Sequence, residues 1–89
     1  MLELVKEELR ISHNRLDNTI SRHIEAAKAE MELKGVVEID TEDPLIQGCI
    51  VSYVQMRMTD DLKEQEMFYK GWETQIDGLR KSYRYGGDL

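Results

Sequence analysis

Residues 16–35 read LDNTISRHIEAAKAEMELKG. Leu16, Ile20, Ile24, Ala27 and Met31 recur every three or four positions, which places them on one face of a helix. Arg22, Glu25, Lys28 and Glu32 fall on the other faces. Gly35 stands where such a helix stops, because glycine takes the left-handed conformation without a Cβ clash. About 20 residues at 1.5 Å each predict a helix of roughly 30 Å. Its apolar face needs cover, and the flanking sequence supplies more helices to provide it.

Upstream, Leu2, Val5 and Leu9 predict a short helix over about 2–10. Ser12-His13-Asn14 interrupts the pattern. Asn14 is the expected N-cap of the long helix, since its side-chain oxygen can accept a free backbone N–H. Asp17 complements the positive helix end. Downstream, residues 36–43, VVEIDTED, have a β flavour in Val36, Val37 and Ile39. A lone strand has nothing to pair with in this chain, so the segment reads as a loop.

Asp43-Pro44 opens a third helix, with proline at the first position, where its missing N–H costs nothing. Leu45, Ile46, Cys49, Ile50, Tyr53 and Val54 make it apolar around more than half its girth, as a central helix should be. Gly48 inside it costs about 1 kcal/mol relative to alanine, which points to a close backbone approach. Thr59-Asp60-Asp61 marks the next start, where Asp61 and Glu64 resemble an acidic capping box. The last helix carries Phe68, Trp72, Ile76, Leu79 and Tyr83 on one face and Gly71 and Gly78 on a smaller one, and Gly86-Gly87 ends it. The expected fold is all-α: one domain over 1–89, a small bundle of about four helices with short loops.

Composition narrows the function. The chain of 89 residues has 12 basic and 18 acidic side chains, a net charge of −6. That balance argues against a protein whose main task is gripping phosphate backbones. The surplus lies in residues 35–61, with six acids and one base. No apolar run approaches the 18 or so residues of a membrane span, and MLELVKEELR lacks the apolar core of a signal peptide. One cysteine allows no internal disulfide and is too few for a zinc site; Cys49 reads as a small buried hydrophobe. His13 and His23 are ten positions apart, outside the spacing of a helical metal pair; His13 reads as a turn residue and His23 as a surface or half-buried one. Glu38, Asp40 and Glu42 alternate but lack the glycine and late glutamate of a calcium loop. Neither catalytic residues nor a cofactor or metal is expected.

Some residues keep two readings. Trp72 belongs to the core or anchors an interface. Met56, Met58 and Met67 fill gaps or form an adaptable contact patch. Arg10 neutralises the end of the first helix or holds Asp17 across the turn. The basic run Arg80-Lys81-Ser82-Tyr83-Arg84-Tyr85 is a solvated helix end or a docking segment for an acidic surface.

The run LRISHNRLDNTISRHIEAAKAEM, residues 9–31, resembles the opening of the small head–tail connector (adaptor, head-completion) proteins of tailed phages. The matching residues are Leu9, Arg10, Ile11, Ser12, His13, Leu16, Asp17, Ile20, Ile24, Ala26, Ala27 and Lys28. Asp43-Pro44-Leu45-Ile46 with Tyr53 forms a second block, and Phe68, Tyr69, Trp72 and Leu79 a third. Together they cover about residues 2–85; the chain closes soon after, without a longer C-terminal arm.

The resemblance implies a non-enzymatic DNA-packaging role in a phage or prophage. Such subunits form a homo-oligomeric ring, commonly of about a dozen copies, on the portal protein. They join the head to a downstream head-completion or tail protein, and double-stranded DNA passes without sequence readout. The implied location is the host cytoplasm during assembly, then the virion neck, with no membrane partner. An acidic lumen would let DNA slide, where a basic one would hold it by counterion release. The expected interface residues are Val36, Val37 and Ile39 on the loop and Arg80, Lys81, Tyr83, Arg84 and Tyr85 at the C-terminus, and removing residues 83–89 is expected to weaken portal binding while leaving the bundle folded. The alternative is a small helical DNA-binding or regulatory protein of a mobile element. A helix-turn-helix would need a tight turn and a basic recognition helix, whereas this chain has an eight-residue acidic connection and only Arg57 as a base between 35 and 61.

Overall fold

Apolar periodicity and helix-end chemistry divide the chain into four helices and one C-terminal helical turn. The computed structural model describes residues 1–86, apart from the side chains of Tyr83 and Arg84. Helix α1 spans Leu2–Glu8, α2 Asp17–Leu33, α3 Pro44–Met58, α4 Leu62–Arg80 and the turn α5 Tyr83–Gly86. No strand occurs among the described residues, and 36–43 form the expected loop.

Helix α3 is central and packs against α1, α2 and α4. Its buried residues are Ile46, Cys49, Ile50, Tyr53 and Val54. Helix α2 covers them with Ile20, Ile24, Ala27 and Met31, and α4 with Trp72, Ile76 and Leu79. Val5 of α1 joins the same core, as do Val36 of the loop and Tyr85 of α5. The core therefore draws on every element, and the two segments expected to face partners contribute to it.

Helix ends follow the sequence in three places. Gly35 has φ 97°; its N–H donates to Glu32 O at 3.1 Å and the Val36 N–H to Met31 O at 3.0 Å. These are the two bonds of a Schellman motif, with Val36 and Met31 as its apolar contact. Asp43 caps α3 by accepting from the Leu45 N–H at 2.9 Å, with Pro44 at the first helical position. Asp61 caps α4 by accepting from the N–H groups of Lys63 and Glu64. Glu64 does not return to the Asp61 N–H as a capping box would. The Thr59 hydroxyl stands between them, accepting from the Asp61 N–H at 3.2 Å and donating to Glu64 Oε1 at 3.0 Å.

The α1–α2 junction differs from the expectation. Helix α2 starts at Asp17 with Leu16 at the N-cap and no side-chain cap. Asn14 is diverted: its Oδ1 accepts from Lys6 Nζ at 2.9 Å. The same ammonium lies 2.9 Å from Asp17 Oδ1. Lys6 is buried, and a buried charge must be paired, so it takes both partners. Asp17 is thus held by Lys6, not by Arg10.

Arg10 has another task. It ends α1 in the left-handed conformation, φ 58°; its N–H bonds Glu7 O at 3.1 Å and the Ile11 N–H bonds Lys6 O at 2.8 Å. A residue with a Cβ is strained there by about 1–2 kcal/mol. Arg10→Gly is therefore expected to stabilise the chain by about 0.5–1 kcal/mol after glycine's extra unfolded-state entropy is subtracted. A urea titration checks this: the midpoint should rise at unchanged slope, and a lower midpoint refutes it.

Two further differences concern glycine and the last helix. A Cβ at Gly48 would meet only Gln75 Nε2, at 3.8 Å, so no backbone approaches there. A Cβ at Gly71 or Gly78 would meet nothing within 4 Å. Each costs about 1 kcal/mol relative to alanine without serving this fold. Helix α4 was expected to run on past Tyr83, but it stops at Arg80, and the chain bends at Lys81–Ser82 before α5. The Gly87 end-point lies outside the described residues.

Candidate interface

The loop offers fewer apolar groups than its sequence promises. Val36 is 1% exposed, being the buried contact of the α2 cap, so its expected outward role is corrected. Ile39 is half-buried against the core. Val37 remains open at 59% exposure. Its backbone is fixed, since its N–H donates to Tyr85 O at 2.6 Å.

The C-terminal run is corrected in the same way. Tyr85 is 5% exposed, and its hydroxyl donates to Asp43 Oδ2. It anchors its own chain end to the start of α3. Arg80 and Lys81 are exposed but share one carboxylate. Asp77 Oδ1 accepts from Arg80 Nε at 3.1 Å and Nη2 at 2.9 Å, and Oδ2 lies 2.8 Å from Lys81 Nζ. Hydrogen bonds from Lys81 and then Arg80 hold the Asp77 carboxyl below its usual range. The two cations thus count as about one for a partner. The side chains of Tyr83 and Arg84 lie outside the described residues. Removing residues 83–89 would take Tyr85 out of the core, so truncation should destabilise the bundle as well as remove the segment.

Trp72 is core. Its ring centroid lies 5.4 Å from that of Tyr53 and 6.2 Å from that of Tyr69, and Lys34 Nζ sits over it at 5.8 Å. Met56 and Met58 pack against the core, whereas Met67 is exposed. Among the described residues the other large exposed apolar side chains are Leu33, Val37, Leu45, Leu62 and Tyr69. Glu30, Tyr53, Met56, Arg57, Tyr69 and Glu73 line a cavity of about 600 Å³. Burial, a hydrogen bond to Glu30 and the charge of Glu30 all push the Tyr53 hydroxyl pKa up, against Arg57.

Other polar side chains serve the local fold. Burial pushes the Cys49 thiol up to about 11, so it carries no thiolate near neutrality. His13 Nδ1 accepts from the Arg15 N–H at 3.3 Å, a turn contact. Asp40 Oδ1 accepts from the Glu42 N–H at 2.9 Å, which shapes the loop. Among the described residues no group of three His, Cys, Asp or Glu side chains could hold a metal ion. No helix among them is long and apolar enough to cross a membrane.

His23 is half-buried, and burial, then Arg57 and Arg22, hold its pKa below the ordinary 6.5. The folded state therefore binds fewer protons than the unfolded state below pH 6.5. Stability present above that pH should fall as the pH drops through the folded value. Urea midpoints at neutral and mildly acidic pH check this: His23→Gln should flatten the decline, and an equal decline in both proteins refutes it.

Sequence reasoning missed two connections. Lys6 falls within the Leu2–Val5–Leu9 segment, a signal that its ammonium needs partners. Nothing local links Tyr85 with Asp43, 42 positions away. Compared with known protein families, curated proteins and solved structures, the chain matches none.

Proposed function

We propose that the chain is a structural head–tail connector subunit, one copy in a ring seated on a phage or prophage portal, through which DNA passes unread. The observation that carries this reading is the distribution of exposed apolar side chains. Leu33 and Val37 flank the end of α2, Leu45 starts α3, and Leu62 and Met67 lie on the first half of α4. The core is already closed without them. Apolar groups at two places in the fold, where α2 gives way to α3 and where α4 begins, suit a member with more than one neighbour. The shape, 41 × 28 × 18 Å, is a slab that can stand side by side with copies.

The three blocks of the connector resemblance support the same reading, because they fall on fold-determining places. The first spans the Lys6-organised junction and α2, the second is the cap of α3, and the third holds Trp72. The regulator alternative is disfavoured by the long acidic connection between α2 and α3. The proposed role is non-enzymatic, as the connector resemblance implies.

The test is to mix the purified chain with the portal protein of the same phage or prophage. The mixture is separated by size and the copies counted by light scattering. The expected result is a closed ring with about one chain per portal subunit. Arg80→Gln with Lys81→Gln should weaken it while the chain stays folded, since both residues are exposed and their ion pairs with Asp77 lie at the surface, where such pairs add little stability. No complex at tens of micromolar would overturn the reading and favour a helical regulator.

A further inference from the structure

Lys63, Met67, Lys70, Gly71, Thr74 and Gly78 follow the helical repeat along the outward side of α4. All six are exposed. The stripe itself carries two lysines, with the exposed Glu66 and Glu73 on the flank of Lys70, in a chain of net charge −6. Neither lysine makes an ion pair among the described residues. Met67, Lys70, Gly71 and Thr74 form one side of an open depression of about 470 Å³, with Ser52 of α3 opposite. Met67 is 61% exposed at its edge. The two glycines lower the helix surface where nothing in the same chain comes near.

A complementary surface lies elsewhere on the chain. Glu38, Asp40 and Glu42 are exposed on the loop and make no ion pair among the described residues. Val37 and Leu45 bracket them with open apolar side chains. We propose that the outer face of α4 in one copy receives the 37–45 segment of a second copy. Lys63 and Lys70 would meet the loop carboxylates, and Val37 and Leu45 would cover Met67 and the glycine surface.

The placement gives the contact a direction. The loop precedes α3 and Lys63 follows it, and 15 helical residues span about 22 Å. One copy cannot bring the two surfaces together, and a pair using both is heterologous. Each copy added head to tail leaves one surface of each kind free, and the series closes into a ring where the rotation between neighbours allows it. The inference deepens the connector reading and rests on it for the need to self-associate.

The test uses full-length chains with one added cysteine each, free and mounted on the portal. Cys49, buried and with its thiol at about 11, stays silent. Under mild oxidation Lys70→Cys mixed with Asp40→Cys should give a disulfide-linked pair, and neither variant alone should. Gly71→Ala separates interface from fold. It should raise Tm by several degrees through helix propensity, yet weaken self-association at least tenfold. Lys70→Glu should weaken association likewise and recover when mixed with Glu42→Lys. No linked pair in either setting, or Gly71→Ala with higher Tm and unchanged association, would overturn the inference. A portal-bound ring without the link would sink this contact and leave the connector reading standing. Linked chains that ignore the portal would do the reverse.

Discussion

Trp72→Ala should lower the stability of the chain by about 3–5 kcal/mol. Trp72 is 1% exposed and touches Tyr53 of α3, Tyr69 of its own helix and the Lys34 ammonium after α2. One side chain thus joins three helices. Truncating a buried tryptophan costs about 3–5 kcal/mol. A domain of 89 residues is stable by about 4–13 kcal/mol, so the loss consumes at least about a quarter of the total. Trp72→Phe is the control. The indole Nε1 is buried without a partner, a situation that costs about 1–3 kcal/mol. Removing it offsets part of the smaller cavity, and the variant should stay within about 1.5 kcal/mol of the parent. Urea and thermal melts decide; Trp72→Ala with a near-parental midpoint would refute the central role of this residue.

Local chemistry was readable wherever a helix end is made by adjacent residues. Gly35, Asp43-Pro44 and Asp61 act within a turn of themselves, so their residue types suffice. The α1–α2 junction was misread because its deciding residue is eight positions upstream. Asn14 has the right chemistry for a cap, but the buried Lys6 ammonium outbids the backbone for its oxygen. Arg10 in the left-handed region was hidden for a different reason: arginine carries no preference for it, and the closing bonds of α1 impose it.

The candidate interface was legible in charge and only partly in exposure. Arg80 and Lys81 are on the surface as expected, yet Asp77, three and four positions earlier, takes up both. That spacing was visible in the sequence and gives the correction a local cause. Val36 and Tyr85 could not be placed this way. An apolar residue beside a glycine, or an aromatic near a chain end, reads equally well as an exposed contact or as the last piece of a small core. In this chain the core wins, because burying Val36 and Tyr85 closes the end left open by α2 and α4. A core of 89 residues has few spare side chains.

Gly86→Ala should release that end. An added Cβ would collide with the Arg80 carbonyl oxygen and lie 2.7 Å from its carbon. Both are backbone atoms in the last turn of α4 and cannot rotate away. Either α4 deforms, at about 1–3 kcal/mol for overpacking, or α5 swings out and Tyr85 leaves the core. Burying a large aromatic is worth about 1.5–3 kcal/mol, so the two routes cost about the same and both destabilise. They differ in one observable. The Val37 N–H is held by Tyr85 O, and its hydrogen exchange should accelerate more than tenfold only if α5 lets go. Tyr85→Phe isolates the side-chain part. It removes one bond to the buried Asp43 carboxylate, worth about 1.5–3 kcal/mol, and leaves the Val37 bond in place. Parental stability and Val37 protection in Gly86→Ala would mean that the chain end does not lock the loop. With the expected loss, any portal defect of a C-terminal truncation must first be read as damage to the loop and to the start of α3.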